Sequence, residues 1–200
     1  ATLESLRQPI EDHTVTISRA SLSLTYPARF MLIAALNPCP CGRWGDPTGA
    51  CRCTPGQIQR YISRISGPLM DRIDIQIEVP ALKFAELSSE VPSEPSERIR
   101  QRVVAAREVQ RERFRRSADR VWSNSQMTSR LVRAHCRVDD TAKARLEEAV
   151  RRMGLSARAY TRVLKVARTL ADLEARERIE SRDLAEALRY RSLDRQFWSA

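Results

Sequence analysis

The sequence lacks the features that would place the protein in a membrane or on a secretion pathway. Its 200 residues contain no run of about eighteen apolar residues, so no segment is predicted to span a bilayer. The first residues do not combine a basic stretch with an apolar one, as a secretory signal does. We therefore expect an intracellular, cytoplasmic protein that does not bind membranes.

Lysine is scarce, although the chain is strongly basic. The three lysines are Lys83, Lys143 and Lys165, and none of them follows a glycine, so the phosphate-binding pattern Gly-x4-Gly-Lys-[Ser/Thr] is absent. Arginine supplies almost all of the positive charge, and the formal net charge is +10. Guanidinium groups match phosphate oxygens in pairs, so this balance favours a phosphate-bearing partner. A solvated basic surface would have the same composition.

Residues 1–80 carry the pattern of an α/β fold. A short apolar run over 30–36 predicts a strand buried on both faces, and this strand ends at Asn37. β-Branched residues alternate over 14–18, which predicts a strand or hairpin arm. Apolar and polar residues alternate over 73–79, which predicts a half-exposed strand.

Two helices are predicted around these strands. The first runs from Leu3 to Ile10 and is stopped by Pro9, since proline disfavours helix in the residue before it. Because it stands at the start of the chain, we expect the chain to be a piece of a longer protein. The second begins at Thr54 and Pro55, a hydroxyl N-cap followed by proline at the first helical position.

A linker and a helical domain follow. Residues 81–95 are rich in Pro, Ser and Glu, which indicates a domain boundary. Residues 96–200 predict a helical bundle that begins with an arginine-rich helix over 96–116. Four further helices are predicted to start at the caps Thr128, Asp139, Ser156 and Ser181. Gly154 is predicted to end the helix that Asp139 caps.

Two close pairs of cysteines lie in a glycine-containing loop over 37–53. Four thiolates can supply the soft ligands of a tetrahedral Zn²⁺ ion, so the loop predicts a structural zinc site, with free thiols or disulfides as the alternatives. The predicted ligands are Cys39, Cys41, Cys51 and Cys53. The fifth cysteine, Cys136, falls in a predicted helix and is interpreted as a buried, inert thiol.

Five short motifs occur in order along the chain. They are Tyr26-Pro-Ala-Arg-Phe30, Ala35-Leu-Asn-Pro-Cys-Pro-Cys-Gly42, Cys51-Arg-Cys-Thr-Pro-Gly56, Ser66-Gly-Pro-Leu-Met-Asp-Arg-Ile-Asp74 and Gly154-Leu-Ser-Ala-Arg-Ala-Tyr160. Together they closely resemble the YifB/ComM family of magnesium-chelatase-like AAA+ ATPases. The resemblance runs from about Leu3 to Arg195.

The resemblance implies part of an AAA+ nucleotide-binding α/β domain followed by a helical lid, assembled into a homo-hexameric ring. It implies ATP hydrolysis with Mg²⁺, coupled on the ComM branch to unwinding or branch migration of DNA. The phosphate-binding loop and the acidic pair that holds Mg²⁺ in the family do not occur here. The chain therefore resembles the C-terminal portion of such an ATPase, and we expect the full-length protein, not this chain alone, to hydrolyse ATP.

The resemblance also implies roles for individual residues. Asn37 matches sensor 1, which positions the attacking water, although an Asn-Pro pair also begins ordinary turns. Arg72 matches the arginine finger that acts on a neighbouring subunit, with an ion pair to Asp71 or Asp74 as the alternative. Arg158 matches sensor 2, and Arg162, one turn later, is the reserve choice.

Three further residues are candidate DNA contacts, and two other functions stay open. Arg43 and Trp44 lie between the cysteine pairs and Arg19 ends the hairpin arm, and such groups can touch phosphates or stack on bases. Trp44 could equally pack against the loop. His13 and His135 are isolated and receive no chemistry. The alternative functions are a chelatase-type subunit that acts on another protein and a non-enzymatic zinc-containing nucleic-acid-binding module.

Overall fold

The computed structural model of the chain describes residues 2–46, 49–80 and 92–191. Contacts divide the chain into two compact units, and the division falls between Ile73 and Asp74. Most of the predicted linker lies outside the described residues, so the linker stays a prediction. Among the described residues, no helix is long and apolar enough to cross a membrane.

The first unit opens with helical turns. A 3₁₀ helix over Thr2–Leu6 leads into helix α1 over Arg7–Asp12. The prediction that Pro9 ends this helix is wrong. Pro9 lies in the first turn of α1, where backbone N–H groups lack helical partners, so its missing N–H removes no helical bond. The helix ends instead at Asp12, and its C-cap His13 has a left-handed backbone with φ 56°.

An antiparallel hairpin follows, as the alternation over 14–18 predicts. Strand β1 covers Thr14–Arg19 and β2 covers Leu22–Pro27. Residues two apart share a face of a strand, so the hairpin has two different sides. On one side the cross-strand pairs are apolar, namely Val15 with Tyr26 and Ile17 with Leu24. On the other side hydroxyl groups pair across the strands at 2.9 Å, Thr16 with Thr25 and Ser18 with Ser23.

The predicted buried strand over 30–36 is wrong for this structure. These residues have no regular secondary structure and are exposed, with Met31 83% and Ile33 82% accessible. A strand needs a neighbour for its backbone N–H and C=O groups. Among the described residues, the one sheet is the β1–β2 hairpin, which does not extend to them.

The predicted strand over 73–79 is wrong for the same reason. It is described without strand pairing. Its accessible side chains include Ile77 at 63% and Val79 at 79%, whereas Gln76 is buried and donates its backbone N–H to the Tyr190 carbonyl at 2.9 Å. The predicted apolar side is therefore the exposed one.

Two short helices complete the described part of the first unit. Helix α2 covers Pro55–Ile62, and its Thr54 cap is confirmed as a reciprocal capping box with Gln57. Helix α3 covers Gly67–Met70 and is capped by Ser66, whose Oγ accepts from the backbone N–H of Leu69.

The second unit is helical, as predicted. It contains α4 over Ser96–Phe114, a 3₁₀ turn over Asn124–Gln126, α5 over Ser129–His135, α6 over Asp140–Met153, α7 over Ala157–Leu173 and α8 over Ser181–Arg189. The predicted caps Thr128, Asp139 and Ser156 are confirmed, as is the left-handed Gly154 after α6. The fourth cap is wrong, because Glu180 rather than Ser181 caps α8. The mixed α/β and helical fold class is thus confirmed in outline.

A charged network lies inside this helical unit. The Asp172 carboxylate is fully buried and pairs with Arg113 and with Arg168. Asn124 donates to the same carboxylate at 2.7 Å. The Arg168 side chain is 2% exposed, and its guanidinium also donates to the backbone carbonyls of Arg176 and Glu177. The network ties α4, α7 and the 3₁₀ turn together.

Candidate metal centre and nucleotide-sensing residues

The four loop cysteines converge on one point, as predicted. Their Sγ atoms all lie within 4.8 Å of one another. Cys39 Sγ lies 3.3 Å from Cys41 Sγ and 3.8 Å from Cys51 Sγ, and Cys41 Sγ lies 3.7 Å from Cys51 Sγ. Cys39 is fully buried and Cys41 is exposed.

This geometry fits a tetrahedral zinc site. Four sulfurs at about 2.3 Å from one Zn²⁺ ion lie about 3.8 Å apart, which is close to the separations given above. These sulfur–sulfur distances are too long for a disulfide bond, and the four cysteines are free thiols. The residues present therefore fit the ion, which would close the loop by joining its two cysteine pairs.

The electrostatics of the cluster also suit a cation. Backbone N–H groups of Arg43 and Arg52 donate to Cys41 and lower the pKa of its thiol to about 6. The backbone N–H of Cys41 donates to Cys53 and favours a lower pKa of its thiol. Burial and the neighbouring sulfurs outweigh this hydrogen bond and raise the pKa of Cys53 to about 12. Adjacent thiolates repel each other, and a dication removes that repulsion.

Asn37 stands at the entrance of the loop. It is exposed, and its side-chain carbon lies 3.8 Å from the position that a Cβ on Gly42 would occupy. Gly42 has φ 76°, a left-handed backbone conformation that favours glycine, and a Cβ there would be in ordinary van der Waals contact with the amide. The amide therefore rests against the cysteine loop. Since no strand is described over 28–37, its predicted place at a strand tip is not reproduced.

Arg72 follows helix α3 and is engaged within its own unit. Its Nη1 donates to the Pro68 carbonyl at 2.6 Å, and its Nη2 pairs with the Glu11 carboxylate. Its side chain is only 12% exposed. Sequence reasoning considered Asp71 or Asp74 as partners and missed Glu11.

Helix α1 also holds the other end of the α3 segment. Ser66 Oγ accepts from the Arg7 guanidinium at 2.6 Å and donates to the Glu4 carboxylate at 3.0 Å. The pairing with Ser66 lowers the pKa of Glu4. One face of the helical segment over 2–12 therefore clamps both Ser66 and Arg72.

The two sensor-2 candidates lie in the second unit, on helix α7. Arg158 is exposed in the first turn. Arg162, one turn later, pairs with Asp74 at 2.5 Å and has a side chain 19% exposed. The predicted DNA contacts Arg19 and Arg43 are exposed, and Trp44 is 39% exposed.

The first unit thus contains a four-cysteine cluster whose geometry fits a metal ion, and the second unit is a helical bundle. The comparisons give the family. A family model described as magnesium chelatase, subunit ChlI, matches residues 1–87, and its C-terminal counterpart matches residues 93–191. The chain belongs to this magnesium-chelatase-like family and has ComM and YifB among its relatives.

Three relatives illustrate the relationship. The competence protein ComM of Haemophilus influenzae is 43% identical over 96% of this chain and 36% of its own length. The uncharacterized protein YifB of Escherichia coli is 42% identical over 97% of this chain and 37% of its own length. An uncharacterized protein of Mycobacterium tuberculosis is 37% identical over 94% of the chain. The chain thus spans little more than a third of these curated relatives.

Proposed function

We propose that this chain works as the nucleotide-sensing and lid portion of a hexameric AAA+ ATPase that couples ATP hydrolysis to DNA remodelling, as a helicase or in branch migration. The observation that carries the proposal is the match of two consecutive family models over residues 1–87 and 93–191. The ATP- and Mg²⁺-binding groups would come from polypeptide of the kind that the longer relatives carry.

The exposed apolar residues support this assignment. Phe30, Met31 and Ile33 are 49%, 83% and 82% accessible and lie within four residues of one another. Large apolar side chains that are exposed together are typical of a surface that another part of a protein covers. In the proposed full-length protein, further polypeptide covers this run, which leads directly to Asn37.

Each site residue then has a defined task. Asn37 orients the water that attacks the γ-phosphate, as an amide can from a fixed position. Arg158 donates charge to the phosphates of its own subunit from the first turn of α7, where it is exposed. Arg162, one turn later, pairs with Asp74 and is the reserve candidate for this role. Arg72 supplies a guanidinium to the site of the next subunit.

The cysteine centre would be structural. It begins two residues after Asn37, and its four sulfurs leave no open coordination position for a reaction. A bound Zn²⁺ would fix the loop that packs against the Asn37 amide. Its contribution to function is therefore the placement of that amide.

The charge of the chain supports DNA as the partner. A net charge of +10 favours a polyanion, and Arg19, Arg43 and Trp44 are exposed groups of the kind that contact single strands. The family description itself names magnesium chelatase, so a protein partner of the chelatase type is the second candidate.

ATPase assays on the full-length protein test the proposal. We expect hydrolysis that single-stranded or branched DNA stimulates, and DNA affinity that falls steeply as salt rises. Arg72→Ala should retain ATP binding and lose roughly 10³-fold in turnover, because a finger stabilises charge only during phosphoryl transfer. Arg60→Ala, an exposed arginine of α2, is the control and should leave turnover unchanged. Absence of ATPase activity would refute the proposal, and stimulation by a protein partner but not by DNA would favour the chelatase-type function.

A further inference from the structure

Arg72 is withdrawn in this structure, whereas a finger has to reach another subunit. Its side chain is 12% exposed, and its Nη1 donates to the carbonyl of Pro68, four residues earlier in the same segment. The guanidinium therefore folds back over helix α3. Nη2 is held at the same time by the Glu11 carboxylate.

Glu11 is the anion that holds this conformation. It lies 61 residues earlier in the chain, in the last turn of α1, with its side chain 33% exposed. A carboxylate and a phosphate compete for the same guanidinium edge, since both accept its paired N–H groups. A guanidinium bound to Glu11 is thus not available in full to a phosphate.

The position of Glu11 links it to the hairpin. Helix α1 ends at Asp12. The backbone carbonyl of His13, the next residue, accepts a hydrogen bond from the Ala28 N–H at 2.7 Å and so closes the base of the hairpin. The same helical segment is held to Ser66 through Glu4 and Arg7. Along the chain, Glu11 therefore lies between these contacts with Ser66 and the base of the hairpin.

We propose that Glu11 is a latch that keeps Arg72 withdrawn in the unassembled protein, and that exchange of the carboxylate for the phosphate of a neighbouring subunit's nucleotide releases it. This inference rests on the proposed function and adds the regulation of the same site. No covalent step is involved, because one anionic partner of the guanidinium replaces another. The latch makes the arginine available at assembled sites and masks it elsewhere.

An ion pair of this exposure favours the withdrawn conformation by a factor of about five. Glu11→Gln keeps the shape of the side chain and removes its charge. In the full-length protein, we expect this variant to reach half-maximal ATPase activity at a protein concentration about fivefold lower than the wild type does. Its affinity for a fluorescent ATP analogue should not change, because Arg72 does not contact the nucleotide of its own subunit.

Matched variants separate a latch from a merely structural carboxylate. Asp12→Asn removes an exposed carboxylate from the last turn of the same helix, and it should leave the concentration dependence unchanged. Glu11→Asp keeps the charge on a shorter side chain. The protein concentration at which it reaches half-maximal ATPase activity should lie between those of Glu11→Gln and the wild type. It also provides a result if Glu11→Gln folds poorly, which circular dichroism would reveal.

The outcomes distinguish the two proposals. If Glu11→Gln and Glu11→Asp have unchanged or reduced ATPase activity while Arg72→Ala abolishes it, the latch is wrong and the finger stands. If Arg72→Ala hydrolyses ATP normally, the finger assignment fails whatever Glu11→Gln does. Activation by Glu11→Gln that disappears in the Glu11→Gln/Arg72→Ala double variant supports both.

Discussion

Replacement of Asp172 by Asn should destabilise the helical unit strongly. The carboxylate is fully buried and is the shared anion of Arg113 and Arg168. Asparagine keeps the shape but leaves the two guanidinium groups close together without a counter-charge. Burial and the nearby Arg113 already lower the pKa of Arg168, while Asp172 opposes that shift, so the environment is costly for a cation.

The magnitude follows from the kind of pair that is lost. Removal of one partner from a buried ion pair costs about 3–5 kcal/mol, a large share of the roughly 5–15 kcal/mol that stabilises a domain. For a unit of about 100 residues this corresponds to a fall in Tm of about 12 °C or more. Urea unfolding followed by circular dichroism would measure the change.

An exposed pair provides the control. Arg115 and Glu112 lie 3.1 Å apart with side chains 61% and 67% exposed, so Glu112→Gln should change stability by less than about 0.5 kcal/mol. If Asp172→Asn were no more destabilising than Glu112→Gln, the network would not stabilise the bundle and this reasoning would be refuted.

Two further predictions concern the cysteine loop and pH. Elemental analysis of the purified full-length protein should find one Zn²⁺ per chain. Cys39→Ser should reduce this zinc content severely, whereas Cys136→Ser, which lies outside the cluster, should not. Protein that contains no metal although it was prepared without chelators would contradict the zinc site. Burial, together with Arg113 and Arg168, lowers the pKa of His135, so its stabilising contribution is present above the unfolded value of about 6.5 and is lost as pH falls through the folded value. The urea midpoint of unfolding should therefore decrease as pH is lowered from 7.5 to 5.5, and the decrease should be smaller in His135→Gln. An equal decrease in both proteins would exclude His135 as the cause of the pH dependence.

Local chemistry was predictable from the sequence. Thr54, Thr128, Asp139 and Ser156 cap helices where their side chains and the following residues indicate, because a cap needs only three or four neighbouring residues. The cysteine cluster was predictable for a related reason. Its ligands lie within fifteen residues of one another, so their spacing alone brings them together.

Contacts between distant residues were not predictable. The pairs Arg72–Glu11 and Arg113–Asp172 join residues 61 and 59 positions apart, and the sequence contains other carboxylates that would serve equally well. The apolar run over 30–36 has the composition of a strand, but strand formation depends on a partner that local sequence does not supply. Composition therefore predicts what a segment can form, and its neighbours decide whether it does.

The β1–β2 hairpin should be one of the first parts of the protein to unfold locally. A lone pair of strands is marginally stable in water, and this one is accessible along nearly its whole length. Its backbone amides should exchange with deuterium well before those of α7, whose residues line the bundle core. The hairpin is thus the part of the first unit that can change its conformation at the lowest cost in free energy. One residue, His13, separates it from the helix that carries Glu11.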